Sequence, residues 1–193
     1  FTIGWAVLGI QSSLIPLLAA YLATGGDASR APEGTVLAST VMAVGSLANA
    51  LTQTVSGRLS DNLGRRIMIF IGLLIAGTAI STIGISSAPW MLVALIVGMG
   101  AGAALITPSL QASVADVIGS KRDGAPVLAT FQMHSDFGMI LGPLLAGTVA
   151  DTWGFTPAFM LCGGLLLAAS LTWLPFRTPH WPRELADKNY TGR

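Results

Sequence analysis

"GRLSDNLGRR" runs from Gly57 to Arg66, and "GTVADTWGFT" runs from Gly147 to Thr156. Ninety residues apart, the two stretches share glycine, aspartate and glycine at equal offsets: Gly57/Gly147, Asp61/Asp151 and Gly64/Gly154. Leu59 and Val149 follow the first glycine at the same distance. The first copy carries Arg58, Arg65 and Arg66, whereas the second carries no arginine. A turn that recurs without its charge suggests two copies in different surroundings.

Composition supplies the surroundings. Apolar residues make up 52% of the 193-residue chain and charged residues 10%, with a formal net charge of +1. A soluble domain carries about 25% charge. The apolar residues fall in six nearly uncharged blocks: Phe1–Leu22, Val36–Val55, Ile67–Ile85, Trp90–Val114, Val127–Val149 and Pro157–Leu174. Most approach the roughly 20 residues that a helix needs to cross the hydrocarbon of a bilayer. They are rich in Leu, Ala, Gly and Ile without strict alternation, which argues for helices over barrel strands. Several are apolar all round, as lipid-embedded helices are. The sequence therefore predicts an all-α membrane protein with six transmembrane helices, the sixth having the least certain ends.

The first block has neither a basic start nor a small-residue cleavage site, so it is not a signal peptide. The chain begins at Phe1 without a charged lead and reads as a fragment. Cys162, the single cysteine, lies inside the sixth block and reads as a packing residue. With alternating helices, Arg58, Arg65, Arg66, Lys121, Arg122, Arg177, Arg183, Lys188 and Arg193 fall on one side and Arg30 on the other. The positive-inside rule places the first group, and both chain ends, in the cytoplasm. The turn at Asp61 then lies inside and the turn at Asp151 outside, which accounts for the missing arginines.

Three helices per unit make the second unit inverted. The repeats cover about 1–86 and 89–176, with a cytoplasmic tail at 177–193. Pro16 and Pro108, mid-way in the first and fourth helices, fit the same alignment. Inverted three-helix repeats build many secondary transporters, whose binding sites lie near the bilayer midplane.

Gly57, Leu59, Ser60, Asp61, Gly64, Arg65 and Arg66 together resemble the loop motif of the major facilitator superfamily, G-x-L-[AS]-D-x-x-G-R-[RK]. Gly138, Gly142 and Pro143 resemble that family's G-x-x-x-G-P pattern in the fifth helix. The resemblance spans the chain in helix order. It implies one six-helix half of a twelve-helix transporter. Gln132-x-x-x-Asp136-x-Gly138 looks like the eleventh helix of many members, and Arg177–Arg193 looks like a C-terminus, favouring the C-terminal half. Asn189-Tyr190-Thr191 matches a glycosylation pattern, but on a cytoplasmic tail it is accidental.

The resemblance also implies a conformational latch made of Gly57, Asp61, Gly64, Arg65, Arg66 and Asp116. Asp61 would meet a helix N-terminus of the other half, where free N–H groups favour an anion. Arg65 and Arg66 would pair with Asp116. Gly57 would permit close helix approach, and Gly64 a tight turn. The alternative is that these charges only set topology.

Polar residues at membrane depth are functional candidates by default. Asp136 is the acid nearest a helix middle, Gln132 shares its face one turn earlier, and His134 lies about 200° round. Asp136 and His134 are the candidates for proton coupling; for each, a purely structural hydrogen bond is the alternative. Ser46, Asn49, Gln53 and Ser56 form a stripe on the second helix that either lines a solute path or bonds neighbouring helices. Gln11, Asn49, Gln53, Gln111 and Gln132 are the candidate path residues. Gly98 and Gly102 fit small-residue packing, and Trp5, Trp90 and Trp153 fit interfacial anchors.

Other chemistries find no support. The chain has no phosphate-binding G-x-x-x-x-G-K-[ST], no metal-ligand spacing, and no basic patch interleaved with aromatics for nucleic acid. An intramembrane protease would need a nucleophilic serine in reach of His134, and none is so placed. A channel-like oligomer of six-helix units is the other competitor. The expected protein is thus a secondary transporter without cofactor or metal, in the plasma (inner) membrane, working by alternating access. Its partners would be the bilayer, a second six-helix half and a small solute. The scarcity of charge at depth favours a neutral or weakly charged solute.

Overall fold

The computed structural model describes residues 9–118 and 124–174. They form six α-helices: α1 Ile10–Thr24, α2 Ala31–Leu63, α3 Arg65–Ile83, α4 Pro89–Ile118, α5 Ala125–Trp153 and α6 Phe155–Thr172. A 3-10 turn, Ala28–Arg30, precedes α2. Trp5, Lys121, Arg122, the tail at 177–193 and its Asn189 pattern lie outside the described residues.

Four helices, α2, α3, α4 and α6, are long and apolar enough to span a membrane. The expected six spans are therefore six helices of which four meet that standard. The described apolar part of α1, Ser13–Thr24, is shorter. α5 has 29 residues, but Gln132, His134 and Asp136 interrupt its apolar run. The helices also outrun the apolar blocks. α2 has 33 residues, roughly 50 Å at the α-helical rise. It thus exceeds the hydrocarbon thickness and carries its last turns beyond it.

Those last turns revise the reading of Gly57–Arg66. The stretch is not a ten-residue loop: α2 continues to Leu63 and α3 starts at Arg65, so Gly64 alone reverses the chain. Gly64 has φ 92°, ψ 138°, and its N–H donates to the Ser60 carbonyl at 3.0 Å. The second copy turns the same way. Gly154 has φ 91°, ψ 172°, and its N–H donates to the Ala150 carbonyl at 2.9 Å. Side-chain-bearing residues rarely adopt such a φ. Nothing lies within 4 Å of a Cβ added at either glycine, so an alanine would meet backbone strain and no clash. Gly64→Ala and Gly154→Ala should each cost roughly 1–3 kcal/mol. Thermal unfolding in detergent should show similar losses for the two; a loss at one turn only would make the shared geometry incidental.

α3 packs along α4 and α6, while α2 packs along α4 and α1. Glycines set these seams by bringing backbones together. A Cβ on Gly102 would lie 2.8 Å from the Gly72 carbonyl oxygen across α3–α4, and one on Gly100 would lie 2.6 Å from the Gly45 oxygen across α2–α4. One on Gly163 would lie 2.6 Å from the Gly77 oxygen across α3–α6. Gly102 is thus a packing glycine as expected, whereas Gly98 meets only Ala79 at 3.8 Å. Around the seams Ile69, Leu73, Ile80, Ile96, Met99, Ile106 and Phe159 are almost wholly buried. Cys162 is also wholly buried and unpaired, in keeping with a packing role.

At one end of the bundle Thr156 Oγ1 donates to the Gly84 carbonyl at 2.5 Å, joining the end of α3 to the start of α6. At the same end the Ser29 N–H donates to Asp27 Oδ1 at 2.9 Å, which holds the Asp27 carboxyl below the usual range. That contribution to the turn is present at neutral pH and fades as acid protonates the carboxylate. Trp90 and Trp153 stand exposed near helix ends.

Candidate latch and a polar face on α5

The arginines that follow Gly64 stand on the first turn of α3, and each reaches a different helix. Arg65 Nη1 pairs with Asp116 and also donates to the Ala112 carbonyl, both on the last turns of α4. Arg66 does not join Asp116. Its Nε donates to the Trp173 carbonyl at 3.4 Å, at the end of α6. The two side chains leave a helix about 100° apart, so one turn of α3 cannot aim both at α4.

Asp61 lies on the outside of α2, exposed, and has no hydrogen-bond or ion-pair partner among the described residues. Gly57 is equally open, with nothing within 4 Å of an added Cβ, so the close neighbour expected for it is absent among the described residues. Just behind them Ser60 turns inward, and the Ser109 hydroxyl of α4 donates to its oxygen at 3.2 Å. The motif therefore has two sides. Ser60, Arg65 and Arg66 are tied into the bundle, while Gly57 and Asp61 face away from it.

The polar stripe of α2 divides in the same manner. Asn49 Nδ2 donates to the Gly100 carbonyl at 3.3 Å, and Ser56 is buried. Ser46 and Gln53 are exposed. The four residues span an arc of about 80°. The edge of the α2–α4 seam cuts that arc, so the stripe does not share one environment. Gln111 is exposed on α4. Gln11 lies in the first turn of α1, and its side chain is outside the described residues.

On α5, Gln132 Nε2 donates to Asp136 Oδ1 at 2.9 Å. His134 Nδ1 lies 2.8 Å from the Thr130 carbonyl oxygen, on the other side of the helix. From Ala125 to Phe137 every side chain except Phe131 and Ser135 is exposed. This half of α5 thus presents Gln132, His134 and Asp136 uncovered by the other described helices. Its other half docks: Gly138, Gly142 and Ala146 are buried, and a Cβ on Gly9 would lie 3.2 Å from both Gly142 Cα and Pro143 Cδ. The glycine–proline pattern therefore seats α5 against the chain just before α1. No group of three or more His, Cys, Asp or Glu side chains with metal-binding geometry occurs among the described residues.

A sequence model of the Major Facilitator Superfamily matches residues 1–190. The chain belongs to that superfamily. It is 33% identical over 141 residues to the uncharacterized MFS-type transporter Rv1250 of Mycobacterium tuberculosis, which covers 70% of this chain and 24% of the relative. It is 33% identical over 129 residues to multidrug resistance protein 1 of Bacillus subtilis, covering 67% of this chain and 33% of the relative. It is 28% identical over 143 residues to multidrug resistance protein MdtG of Yersinia enterocolitica, covering 74% of this chain and 34% of the relative. The matched part thus spans about a quarter to a third of the length of these relatives. The superfamily is one of integral membrane transporters, not of enzymes, and its membership agrees with the four apolar helices. A missed signal lay in the pairing of arginines: the adjacency of Arg65 and Arg66 already implied that they point to different neighbours.

Proposed function

We propose that this chain is the C-terminal six-helix half of a secondary transporter that moves a small solute across the plasma (inner) membrane by alternating access. The observation that carries the proposal is the hydrogen-bonded pair of Gln132 and Asp136 on a stretch of α5 that no other described helix covers, in a chain of a transporter family. A carboxylate on an uncovered apolar helix is costly in a membrane unless it lines a wet cavity or a partner helix. The rest of the transporter supplies that cavity wall. Asp136 is the proton-coupling group and His134 an accessory titratable group. Gln11, Asn49, Gln53, Gln111 and Gln132 line or border the path.

The two halves of this chain, 1–86 and 89–176, act as inverted repeats, and both ends of the chain face the cytoplasm. The like geometry at Gly64 and Gly154 supports that arrangement. The solute is a small organic compound, neutral or weakly charged, and the direction is export. Relatives named multidrug resistance proteins support this reading. In the full-length protein reconstituted in liposomes, a pH gradient alone should drive solute accumulation, and dissipating it should end accumulation. Transport that ignores the pH gradient would make the protein a facilitator.

Asp61 completes the latch. Its exposed carboxylate meets a helix N-terminus of the other half when the cytoplasmic side is closed, while the Arg65–Asp116 pair holds the motif's own side together. Asp61→Asn removes the charge that a helix N-terminus favours, which is worth roughly 1 kcal/mol, or about a fivefold change in population. Spin-label distances across the cytoplasmic face should shift toward the inward-open state. An unchanged distribution would leave Asp61 a topology residue.

A further inference from the structure

The first turn of α3 carries two arginines and no acid. This arrangement is unfavourable for α3 itself, because a helix N-terminus bears the positive end of its dipole. The opposite holds where the two side chains arrive. Neither α4 nor α6 has a basic residue in its last turn, so that turn brings no cation to the carbonyl-rich, negative end of either helix. Arg65 reaches the end of α4 through Asp116 and the Ala112 carbonyl. Arg66, half-buried, reaches the end of α6 through the Trp173 carbonyl.

We propose that Arg66 is a positioning residue that caps the C-terminal end of α6, and that the two motif arginines divide their work, one helix each. Trp173 is the C-cap of α6, and its own N–H donates back to the Ser170 carbonyl at 3.0 Å. Its side chain packs against the hydrophobic core. The Trp173 carbonyl is free of any intrahelical donor because the helix ends there. The guanidinium satisfies that carbonyl and adds a charge of the favourable sign. Close packing of α3 on α6 through Gly77 and Gly163 brings the start of α3 within reach of that end. Arg66 therefore ties α6 to the same turn that carries the latch. A rearrangement of the latch turn would then be felt at α6 as well as at α4.

The test uses the full-length transporter and hydrogen–deuterium exchange, a readout that does not depend on transport. Arg66→Gln should speed exchange of the last turn of α6, residues 170–174, by roughly two- to fivefold, the range of a helix-terminal charge. It should leave the last turn of α4 unchanged. Arg65→Gln should do the reverse. Arg66→Lys keeps the charge and should restore most of the protection at α6. If Arg66→Gln is poorly folded, Arg66→Met and Arg65→Met, which keep the aliphatic stem but remove the charge, still distinguish the two ends, since each should perturb only its own helix. Faster exchange at α4 in an Arg66 variant, or equal change at both ends, would overturn the division of roles. No change at α6 would overturn the cap.

Discussion

Asp136→Asn is expected to abolish accumulation driven by a pH gradient while leaving downhill solute exchange largely intact. The carboxylate accepts a hydrogen bond from Gln132 at 2.9 Å, and an asparagine carbonyl oxygen can accept the same bond. Local geometry is therefore preserved, and under the proposed function the proton-binding step alone is removed. A coupled transporter cannot concentrate solute without that step, because coupling requires a group that loads and releases the driving proton once per cycle. The measurement compares counterflow with net accumulation in proteoliposomes of the full-length protein. His134→Gln provides the contrast: its ring nitrogen is engaged with its own helix at the Thr130 carbonyl, so its loss should reduce the rate without ending coupling. A mutant at Asp136 that still concentrates solute on a pH gradient alone would place the coupling group elsewhere in the transporter.

Gly163→Val should cause a large loss of stability. A Cβ there would overlap Ser81 Oγ, and it would lie 2.5 Å from the Ser81 nitrogen and 2.6 Å from the Gly77 oxygen. Two of those atoms are backbone, so relief requires α3 and α6 to separate along their whole seam. Overpacking a close core costs roughly 1–3 kcal/mol, and a clash with backbone lies at or above the upper end. The neighbouring Gly164 is the control. Nothing lies within 4 Å of its added Cβ, and Gly164→Val should be nearly neutral. Thermal unfolding of the two variants in detergent checks this. Equal melting would mean that α3 and α6 do not meet at Gly163. At the Gly64 and Gly154 turns, by contrast, the cost is conformational and local.

Much of the candidate site could be read from residue order, and the reasons it could are local. Apolar blocks of sufficient length specify helices in a bilayer whatever their neighbours. A glycine between two such helices marks the reversal, because few other residues hold a φ near 90°. The signature around Asp61 is contiguous, so the family was recognisable. The extent of α2 was not. Its apolar block ends at Val55, and the polar residues from Ser56 to Leu63 look like loop by hydropathy, yet they continue the helix. Once a helix leaves the hydrocarbon its hydrogen bonds persist although its hydrophobicity does not.

What each side chain touches required the packed bundle. α6 is apolar all round, so nothing along it distinguishes the face toward α3 from the face toward lipid. Its rotation is set by Gly163 meeting Gly77 and Ser81. The stripe on α2 looked uniform, but the α2–α4 seam buries Ser56, ties Asn49 to Gly100, and leaves Ser46 and Gln53 open. Arg65 and Arg66 are adjacent in sequence and so point apart, but only the positions of the ends of α4 and α6 decide which partner each one meets. Residue order thus established six helices, their reversals, the membrane setting and the family. The rotation of each helix about its axis, and hence every contact between helices, came from glycine seams joining residues distant along the chain.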